Sequence, residues 1–303
     1  MKPDLAAYDR DGFLVLKDFL PAADCDALQA RAAELIAAFD PGPARIVFST
    51  RDQGHARDRY FQESGGAIRF FFEEEATGQP VPLALNKIGH ALHDLDPVFD
   101  RVSHQPRLAE LARALGFRQP LLLQSMYLFK QPHIGGEVGW HQDAAYLHTR
   151  PSTVTGLWIA LDDADRDNGC LMALAGGHHG PLRQRFHRAG EALVTDTLDA
   201  TPWPKTPPVA LEAPRGTLVV LHGLLPHASA PNRSGRPRHA YALHLIDGCA
   251  EYASDNWLQR PDLPLRGFAC FPRPSCIAIS KARSRRHWRA SWRRVTGSSC
   301  RPA

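Results

Sequence analysis

The feature that most constrains the fold is a series of short apolar or alternating runs that begins after Pro120. Glycine, proline, asparagine and aspartate separate these runs, and no long helical pattern lies between them. They occupy residues 121–130, 154–163, 169–174, 216–222 and 239–246. Several short strands bounded by turn residues are typical of a sandwich or barrel, not of an α/β fold. We therefore predict a mainly β protein with flanking helices, built as a double-stranded β-helix, or jelly roll.

The residues before Pro120 supply the flanking helices. A short strand-like run follows Gly12, and residues 22–39 carry apolar side chains at helical spacing. Residues 68–73, I-R-F-F-F-E, predict a strand. Residues 86–116 predict a helix that ends at Gly116 as its C-cap.

Charge divides the chain into a body and a tail. Ten lysines and arginines and no acid follow residue 264, so the first 264 residues carry a net charge of −6 although the whole chain carries +4. We predict a single domain over residues 1–264 and a basic, disordered tail over residues 265–303. An acidic body gives no reason to expect nucleic acid as a partner. A tail that binds nucleic acid or an anionic surface is a weaker alternative.

The sequence carries no targeting or membrane signal. Residues 1–12 contain no apolar leader segment, and no apolar run approaches the roughly 20 residues of a membrane helix. The six cysteines are far apart and without CxxC spacing, which argues against a thiolate zinc site and a disulfide framework. We expect a cytoplasmic protein that does not contact membranes, and no protein partner is evident.

The segment His141-Gln142-Asp143 is the strongest candidate for chemistry, although a single histidine among fifteen is poor evidence by itself. If the segment is a strand, residues two apart share a face, so His141 and Asp143 can converge on one ion. A third ligand can come from His222 or His227. Two imidazoles and one carboxylate leave three positions open on a metal, which is the arrangement of non-haem Fe(II) oxygenases.

An arginine near these histidines fits the co-substrate that such iron uses. Arg238 begins an apolar strand, whereas Arg233 and Arg236 lie in a loop-like stretch where we expect them to be solvated. A buried guanidinium pairs bidentately with a carboxylate and stays protonated. Arg238 is therefore suited to the far carboxylate of 2-oxoglutarate.

Longer blocks carry a family resemblance. The relevant stretches are I-R-F-F-F-E, N-K-I-G-H-A-L-H-D-L-D-P-V-F, Q-S-M-Y-L-F-K-Q-P-H-I-G-G-E-V, H-Q-D, W-I-A-L-D-D-A, N-G-C-L and R-H-A-Y-A-L-H-L. In this order they resemble the phytanoyl-CoA dioxygenase family of Fe(II)/2-oxoglutarate oxygenases. The resemblance covers residues 11 to 259 and leaves only the tail uncovered.

The resemblance implies an iron triad of His141, Asp143 and His227. The family motif H-x-S-x-x-N places its ligand first and so selects His227, with Ser229 and Asn232 behind it, over His222.

The resemblance also implies a set of 2-oxoglutarate contacts. Arg238 becomes the partner of the distal carboxylate, and the further contacts are Lys87, Met126, Trp158 and Ser229. Judged without the family, Lys87 is equally well a surface lysine, and Met126 and Trp158 are better explained as core packing.

The implied function is a 2-oxoglutarate-dependent dioxygenase that uses Fe(II) and O2 to hydroxylate a C–H bond of a small organic or acyl substrate, releasing succinate and CO2. Two alternatives stay open: a jelly-roll hydrolase or isomerase using zinc or manganese, and a non-catalytic 2-oxoglutarate-binding module. The chain departs from the family where A-G-G-H (175–178) replaces P-G-S-H and where bulky Trp140 precedes the first ligand. The second departure bears on substrate identity.

Overall fold

The computed structural model describes residues 3–42, 47–48, 58–74, 76 and 78–269. Its helices are α1 (Leu5–Asp11), α2 (Ala22–Ala37), α3 (Arg59–Gln62), α4 (Val81–Ala84), α5 (Leu92–Leu95), α6 (Pro97–Ser103) and α7 (Pro106–Ala114). The strands up to the first candidate ligand are β1 (Phe13–Leu16), β2 (Val47–Phe48), β3 (Ile68–Glu73), β4 (Leu85–His90), β5 (Pro120–Leu128) and β6 (Val138–His141).

The remaining strands are β7 (Thr149–Arg150), β8 (Thr155–Ala160), β9 (Leu171–Ala173), β10 (Gln184–Ala189), β11 (Ala192–Thr197), β12 (Val209–Leu211), β13 (Leu218–His222), β14 (His227–Ser229), β15 (Ala240–Asp247), β16 (Glu251–Tyr252) and β17 (Arg266–Gly267). All five strand-like runs predicted after Pro120 contain a strand.

Two sheets form the body of the fold. The large sheet has the strand order β1-β13-β8-β15-β5-β4-β3-β2, with β17 also paired to β5. The small sheet has the order β12-β9-β14-β6. Neighbouring strands are antiparallel except for β2 and β3, and the two outlying pairs are β10–β11 and β16–β7. This is the predicted mainly β architecture of the jelly-roll type.

Alternation along the central strands separates two cores. On β8, Leu157 and Ile159 pack with the helices on the outer face, together with Leu28 of α2 and Leu108 of α7. The intervening residues, such as Trp158, pack against small-sheet residues between the two sheets. Each fully buried leucine or isoleucine contributes about 1.5–3 kcal/mol, so both faces of β8 hold the sandwich and its helical cover together.

The predicted helix over residues 86–116 is wrong in its first part. Residues 85–90 are the strand β4, which is buried and paired on both sides by β3 and β5. Pairing inside a sheet has overridden the local pattern. The rest of the range is broken into α5, α6 and α7 because Pro97 and Pro106 each start a new helix at its first turn. Gly116 does follow the last helix with a positive φ of 89°.

The sheet continues past the predicted boundary at residue 264. Strand β17 pairs with β5, Phe268 is 4% exposed, and Arg266 forms ion pairs with Asp94 and Asp100. Residues 265–269, predicted as the start of the tail, therefore belong to the folded part. The rest of the predicted tail, 270–303, lies outside the described residues.

Two further observations bear on the sequence expectations. Cys25 and Cys170 are buried free thiols, whereas Cys249 is disulfide-bonded, which the spacing of the cysteines did not predict. Within the described ranges, none of the helices has both the length and the apolar character needed to cross a membrane.

Candidate metal centre

The candidate ligands meet at one end of the small sheet. Strand β6 ends at His141 and β14 begins at His227, and the register of the two strands pairs these histidines directly. Their ring centroids are 4.2 Å apart. Oδ1 of Asp143 lies 3.8 Å from Nε2 of His141 and 3.7 Å from Nε2 of His227. One ligand atom from each residue lies within 4.8 Å of the others, so the three can hold a metal ion.

His141 and Asp143 converge for a different reason from the one the sequence suggested. The strand ends at His141, and Asp143 begins a short 3-10 turn with Ala144 and Ala145. The buried side chain of Gln142 anchors this turn by donating to the carbonyl oxygens of Pro181 and Leu224. The turn, and not strand alternation, brings the carboxylate back towards the imidazoles.

Both imidazoles are held in the tautomer that a metal requires. Nδ1 of His141 donates to the carbonyl oxygen of Gly139 at 2.9 Å, and Nδ1 of His227 donates to that of Leu225 at 3.0 Å. An imidazole that donates through Nδ1 keeps the lone pair on Nε2. Both lone pairs are therefore available on the nitrogens that lie closest to Asp143.

Burial and neighbouring charges keep His141 and Asp143 in their metal-binding forms at neutral pH. Burial, reinforced by His227, lowers the pKa of His141 to about 4. Burial alone would raise the pKa of Asp143, but His244 and His227 hold it well below its usual range. A neutral imidazole and an ionised carboxylate are the forms that bind a metal without first losing a proton.

Two residues of the large sheet support Asp143 from behind. A Cβ on Gly156 would lie 2.8 Å from Oδ2 of Asp143, so glycine leaves room for the carboxylate. Nε2 of His244 lies 3.3 Å from the same oxygen. His244 was not predicted from the sequence. Alternation along β15 could have found it, since His244 shares the face of Ala240 and Ala242, and these face the small sheet.

The structure places His222 away from Asp143, in a second histidine cluster with His178 and His179. The rings of His178 and His222 are 5.0 Å apart, and those of His178 and His179 are 4.0 Å apart. Nδ1 of His222 accepts from the backbone N–H of Leu224. Among the described residues only His141, Asp143 and His227 form a group with metal-ligand spacing.

A cavity of about 500 Å³ opens beside the candidate ligands. All eight residues predicted for the site line it: His141, Asp143, His227, Lys87, Met126, Trp158, Ser229 and Arg238. Trp140 lines it too. Gln124, His90 and Phe129 also line the cavity, whereas Tyr127, Phe71 and Arg69 do not.

Arg238 is buried on the cavity with unused hydrogen-bonding capacity. The residue is 3% exposed, and the one hydrogen bond of its side chain to the described residues is a long one of 3.4 Å from Nη2 to Oγ of Ser229. Nε and Nη1 have no partner among the described residues. Burial lowers its pKa to about 10, so it stays charged at neutral pH. Arg233 and Arg236 are exposed, as predicted, and Arg236 pairs with Asp165.

The register of the large sheet arranges the cavity floor in three rows. The first row holds Lys87 and Leu128, and Leu128 pairs with Ala240, two residues after Arg238. The second holds Met126, Ala242 and Trp158. The third holds Gln124, His244 and Gly156, beneath Asp143.

Residue type alone did not predict where Lys87 and Trp158 lie. Lys87 is 6% exposed, which rules out a surface lysine, and burial lowers its pKa to about 7 against the opposing charge of Glu73. The Trp158 ring lies 5.3 Å from the guanidinium carbon of Arg238. Lys130, also buried on the cavity wall, was not predicted; its Nζ donates to the carbonyl oxygens of Gly136 and Ala230.

Known proteins are similar to this chain in sequence over most of its length. A family model described as phytanoyl-CoA dioxygenase (PhyH) matches residues 8–240. The chain is 42% identical over 273 residues to a phytanoyl-CoA dioxygenase of Arabidopsis thaliana, covering 87% of this chain and 95% of that protein. It is 44% identical over 282 residues to phytanoyl-CoA dioxygenase domain-containing protein 1 of Bos taurus, covering 86% and 95%.

Solved structures share the fold. The crystal structure of AviO1 from Streptomyces viridochromogenes is similar with a TM-score of 0.58 at 27% identity, covering 82% of this chain and 96% of that one. EctD from S. alaskensis, solved with 2-oxoglutarate and 5-hydroxyectoine, gives a TM-score of 0.59 at 22% identity, covering 86% and 83%. The second similarity concerns the fold alone.

Proposed function

The chain belongs to the phytanoyl-CoA dioxygenase family, and from that premise we propose that it hydroxylates a C–H bond of a small organic or acyl substrate with Fe(II), O2 and 2-oxoglutarate. Succinate and CO2 are the co-products. The donor set suits ferrous iron, because two imidazoles and one carboxylate leave positions open for a co-substrate and dioxygen.

The observation that carries this proposal is Arg238. A buried guanidinium with two nitrogens that have no partner among the described residues, on the same cavity as the candidate metal triad, requires an anionic partner. A dicarboxylate keto acid that binds the metal at one end presents its other carboxylate to such a group. A zinc or manganese hydrolase using the same triad would leave this arginine without a role.

Each residue then has a stated task. His141, Asp143 and His227 hold the iron, and Arg238, with Ser229 beside it, binds the distal carboxylate of 2-oxoglutarate. Lys87, Met126 and Trp158 line the space between, where they orient the co-substrate and exclude water. When bound, iron and 2-oxoglutarate together supply the oxidising power for C–H cleavage. The carboxylate of Asp143 occupies a position where a halogenating relative would bind halide, which favours hydroxylation.

The first test is spectroscopic. Anaerobic addition of Fe(II) and 2-oxoglutarate to the full chain should produce a weak visible charge-transfer band, because the keto acid chelates the metal. The band should need a far higher 2-oxoglutarate concentration in Arg238→Met. Absence of the band, together with tight zinc binding, would instead favour a hydrolase or isomerase.

The second test separates an enzyme from a binding module. Succinate release should accompany oxygen uptake in a screen of candidate small molecules, and Asp143→Ala should abolish both. A protein that binds 2-oxoglutarate but forms no succinate with or without any substrate would be a non-catalytic module.

A further inference from the structure

One end of the cavity is aromatic and lies beyond Asp143. Tyr146 contacts His141 at a ring separation of 6.1 Å and Phe186 at 5.7 Å. Phe186 continues to Trp257 at 6.2 Å, and Trp257 stacks on Phe61 at 4.5 Å. Together with Gln124 of the third floor row, these four aromatic residues form what we call the aromatic end. It begins at the candidate metal ligands and, through Gln124, includes the floor row that lies farthest along β15 from Arg238.

Gln124 presents an unsatisfied acceptor there, and the chemistry of its neighbours fixes which atom that is. The carboxylate of Asp143 only accepts, so Nε2 of His244 must donate to it. Nδ1 of His244 can then only accept, and the amide Nε2 of Gln124 donates to it at 3.1 Å. This leaves Oε1 of Gln124 as a buried acceptor without a partner among the described residues.

Trp257 adds an unsatisfied donor to the same end. The residue is 4% exposed and lines the cavity, and its Nε1–H has no hydrogen-bond partner in the described part of the chain. A buried acceptor or donor without a partner costs about 1–3 kcal/mol. The aromatic end therefore favours a ligand that supplies a hydrogen-bond donor and an acceptor.

Charge distinguishes this end from the other one. The cationic residues among those that line the cavity are Lys87, Lys130 and Arg238. Lys87 is in the first floor row, and Lys130 is close enough to Arg238 for the guanidinium to lower its pKa. None of the three belongs to the aromatic end. The residues of the aromatic end are all uncharged, so this end offers a phosphate or carboxylate group no cation of its own.

We propose that the aromatic end is the substrate subsite and that it takes a neutral molecule whose hydroxyl or N–H group donates to Oε1 of Gln124 while its apolar face packs on Phe61, Phe186 and Trp257. The inference rests on the proposed function, since it places the substrate beside a metal that 2-oxoglutarate also reaches. It also narrows that function, because a substrate that places a phosphate or carboxylate group in the aromatic end does not fit.

The test uses two probes, one with a hydroxyl donor and one in which a methyl group replaces the hydroxyl hydrogen. Full-length protein loaded with Zn(II) and 2-oxoglutarate is titrated with para-fluorobenzyl alcohol and with its methyl ether, and binding is followed by fluorine NMR. The alcohol should bind about tenfold more tightly, because the ether leaves Oε1 unpaired. The preference should disappear in Gln124→Met and persist in Gln131→Met, a buried glutamine that does not line the cavity.

Calorimetry of 2-oxoglutarate binding separates a failure of the proposed function from a failure of the substrate subsite. Gln124→Met should retain the wild-type affinity for 2-oxoglutarate within about threefold, which shows that the variant is folded. If wild type bound no 2-oxoglutarate, the proposed function would fail while the alcohol preference was still measured. Equal affinities of the two probes, a preference that survives in Gln124→Met, or displacement of the alcohol by micromolar coenzyme A would each overturn the substrate subsite.

Discussion

Two groups of histidines lie in this fold, and they differ in what surrounds the rings. His141 and His227 both donate through Nδ1 to backbone carbonyls and turn Nε2 towards Asp143. In the second histidine cluster, Nε2 of His178 is bonded to the carbonyl of Asp9, and Nδ1 of His222 accepts from a backbone N–H. No carboxylate in the described chain joins that cluster to complete a ligand set.

The comparison shows that crowded imidazoles alone do not make a metal site. Burial lowers the pKa of both His141 and His222 to about 4, so the two groups look alike electrostatically. A common direction for the lone pairs and a nearby carboxylate distinguish the metal centre. The predictions that follow act on these two differences.

Removing the carboxylate should have the largest effect. Asp143→Ala leaves imidazoles without a carboxylate, as in the second cluster, and should lower Fe(II)-dependent succinate formation by at least about 1,000-fold, more than the 10–100-fold that outer contacts supply. Fe(II) affinity is measured in parallel by anaerobic titration. His222→Asn should leave both quantities at the wild-type level. A loss of Fe(II) binding in His222→Asn would mean that the second cluster holds metal after all.

Arg238 and Arg236 differ in a similar way, because two guanidinium nitrogens of Arg238 have no partner among the described residues while Arg236 is paired with Asp165. Arg238→Met should raise the Kd for 2-oxoglutarate about 100-fold, because it removes a buried charge-assisted contact of several kcal/mol. Arg236→Met removes an exposed arginine already paired with Asp165 and should change that Kd less than about twofold. Calorimetry on the metal-loaded protein measures both. Equal effects of the two substitutions would contradict the assignment of Arg238.

Displacing the carboxylate without removing it should have an intermediate effect. Gly156→Ala puts a methyl group 2.8 Å from Oδ2 of Asp143 and should weaken Fe(II) binding about 10–100-fold. Gly235→Ala is the control, since a Cβ there meets nothing within 4 Å. Unchanged Fe(II) affinity in Gly156→Ala would show that Asp143 does not need its present position.

The smallest effect should be on the pH dependence of folding stability, to which the second histidine cluster contributes. Burial, with His178 and His179 nearby, lowers the pKa of His222 from 6.5 to about 4. The unfolded chain therefore takes up a proton at higher pH than the folded chain, so stability is complete above pH 6.5 and declines as the pH falls towards 4. Because the ring is partly exposed, we expect His222 to account for about 1 kcal/mol between pH 7 and pH 5.

The variant His222→Asn keeps an acceptor for the N–H of Leu224 and should lose that share of the pH dependence. Urea unfolding of the metal-free protein at the two pH values measures it. Exposed His133, with a positive φ of 59° that asparagine tolerates, provides the control His133→Asn. Parallel pH profiles for wild type and His222→Asn would contradict the expectation.

The fold was predictable from sequence where strands are buried on alternating faces. The runs that became β5, β8, β13 and β15 have turn residues at both ends, and pairing could only reinforce their local pattern. Strand β4 could not be predicted from the sequence, because its pairing with β3 and β5 determines it. The helical pattern that follows β4 carries no sign of that pairing.

The candidate ligands follow from sequence motifs, whereas the residues that support them do not. A short motif marks His141 and Asp143, and family blocks supply His227 and Arg238. Gly156 and His244 matter because of how close they come to Asp143, and no single-sequence pattern encodes that distance. The orphaned Oε1 of Gln124 was equally out of reach, since it follows from the orientation of three side chains at once.

The pairing of His141 with His227 has a mechanical consequence. Strand β6 is the edge of the small sheet and has β14 as its one neighbour there. An ion held by both histidines would cross-link that edge to its neighbour and close a loop from residue 141 to residue 227 that contains β8, β9, β12 and β13. Closing a longer loop costs the unfolded chain more entropy, so this cross-link would stabilise the folded state. Removal of the ion would destabilise the edge strand β6 first.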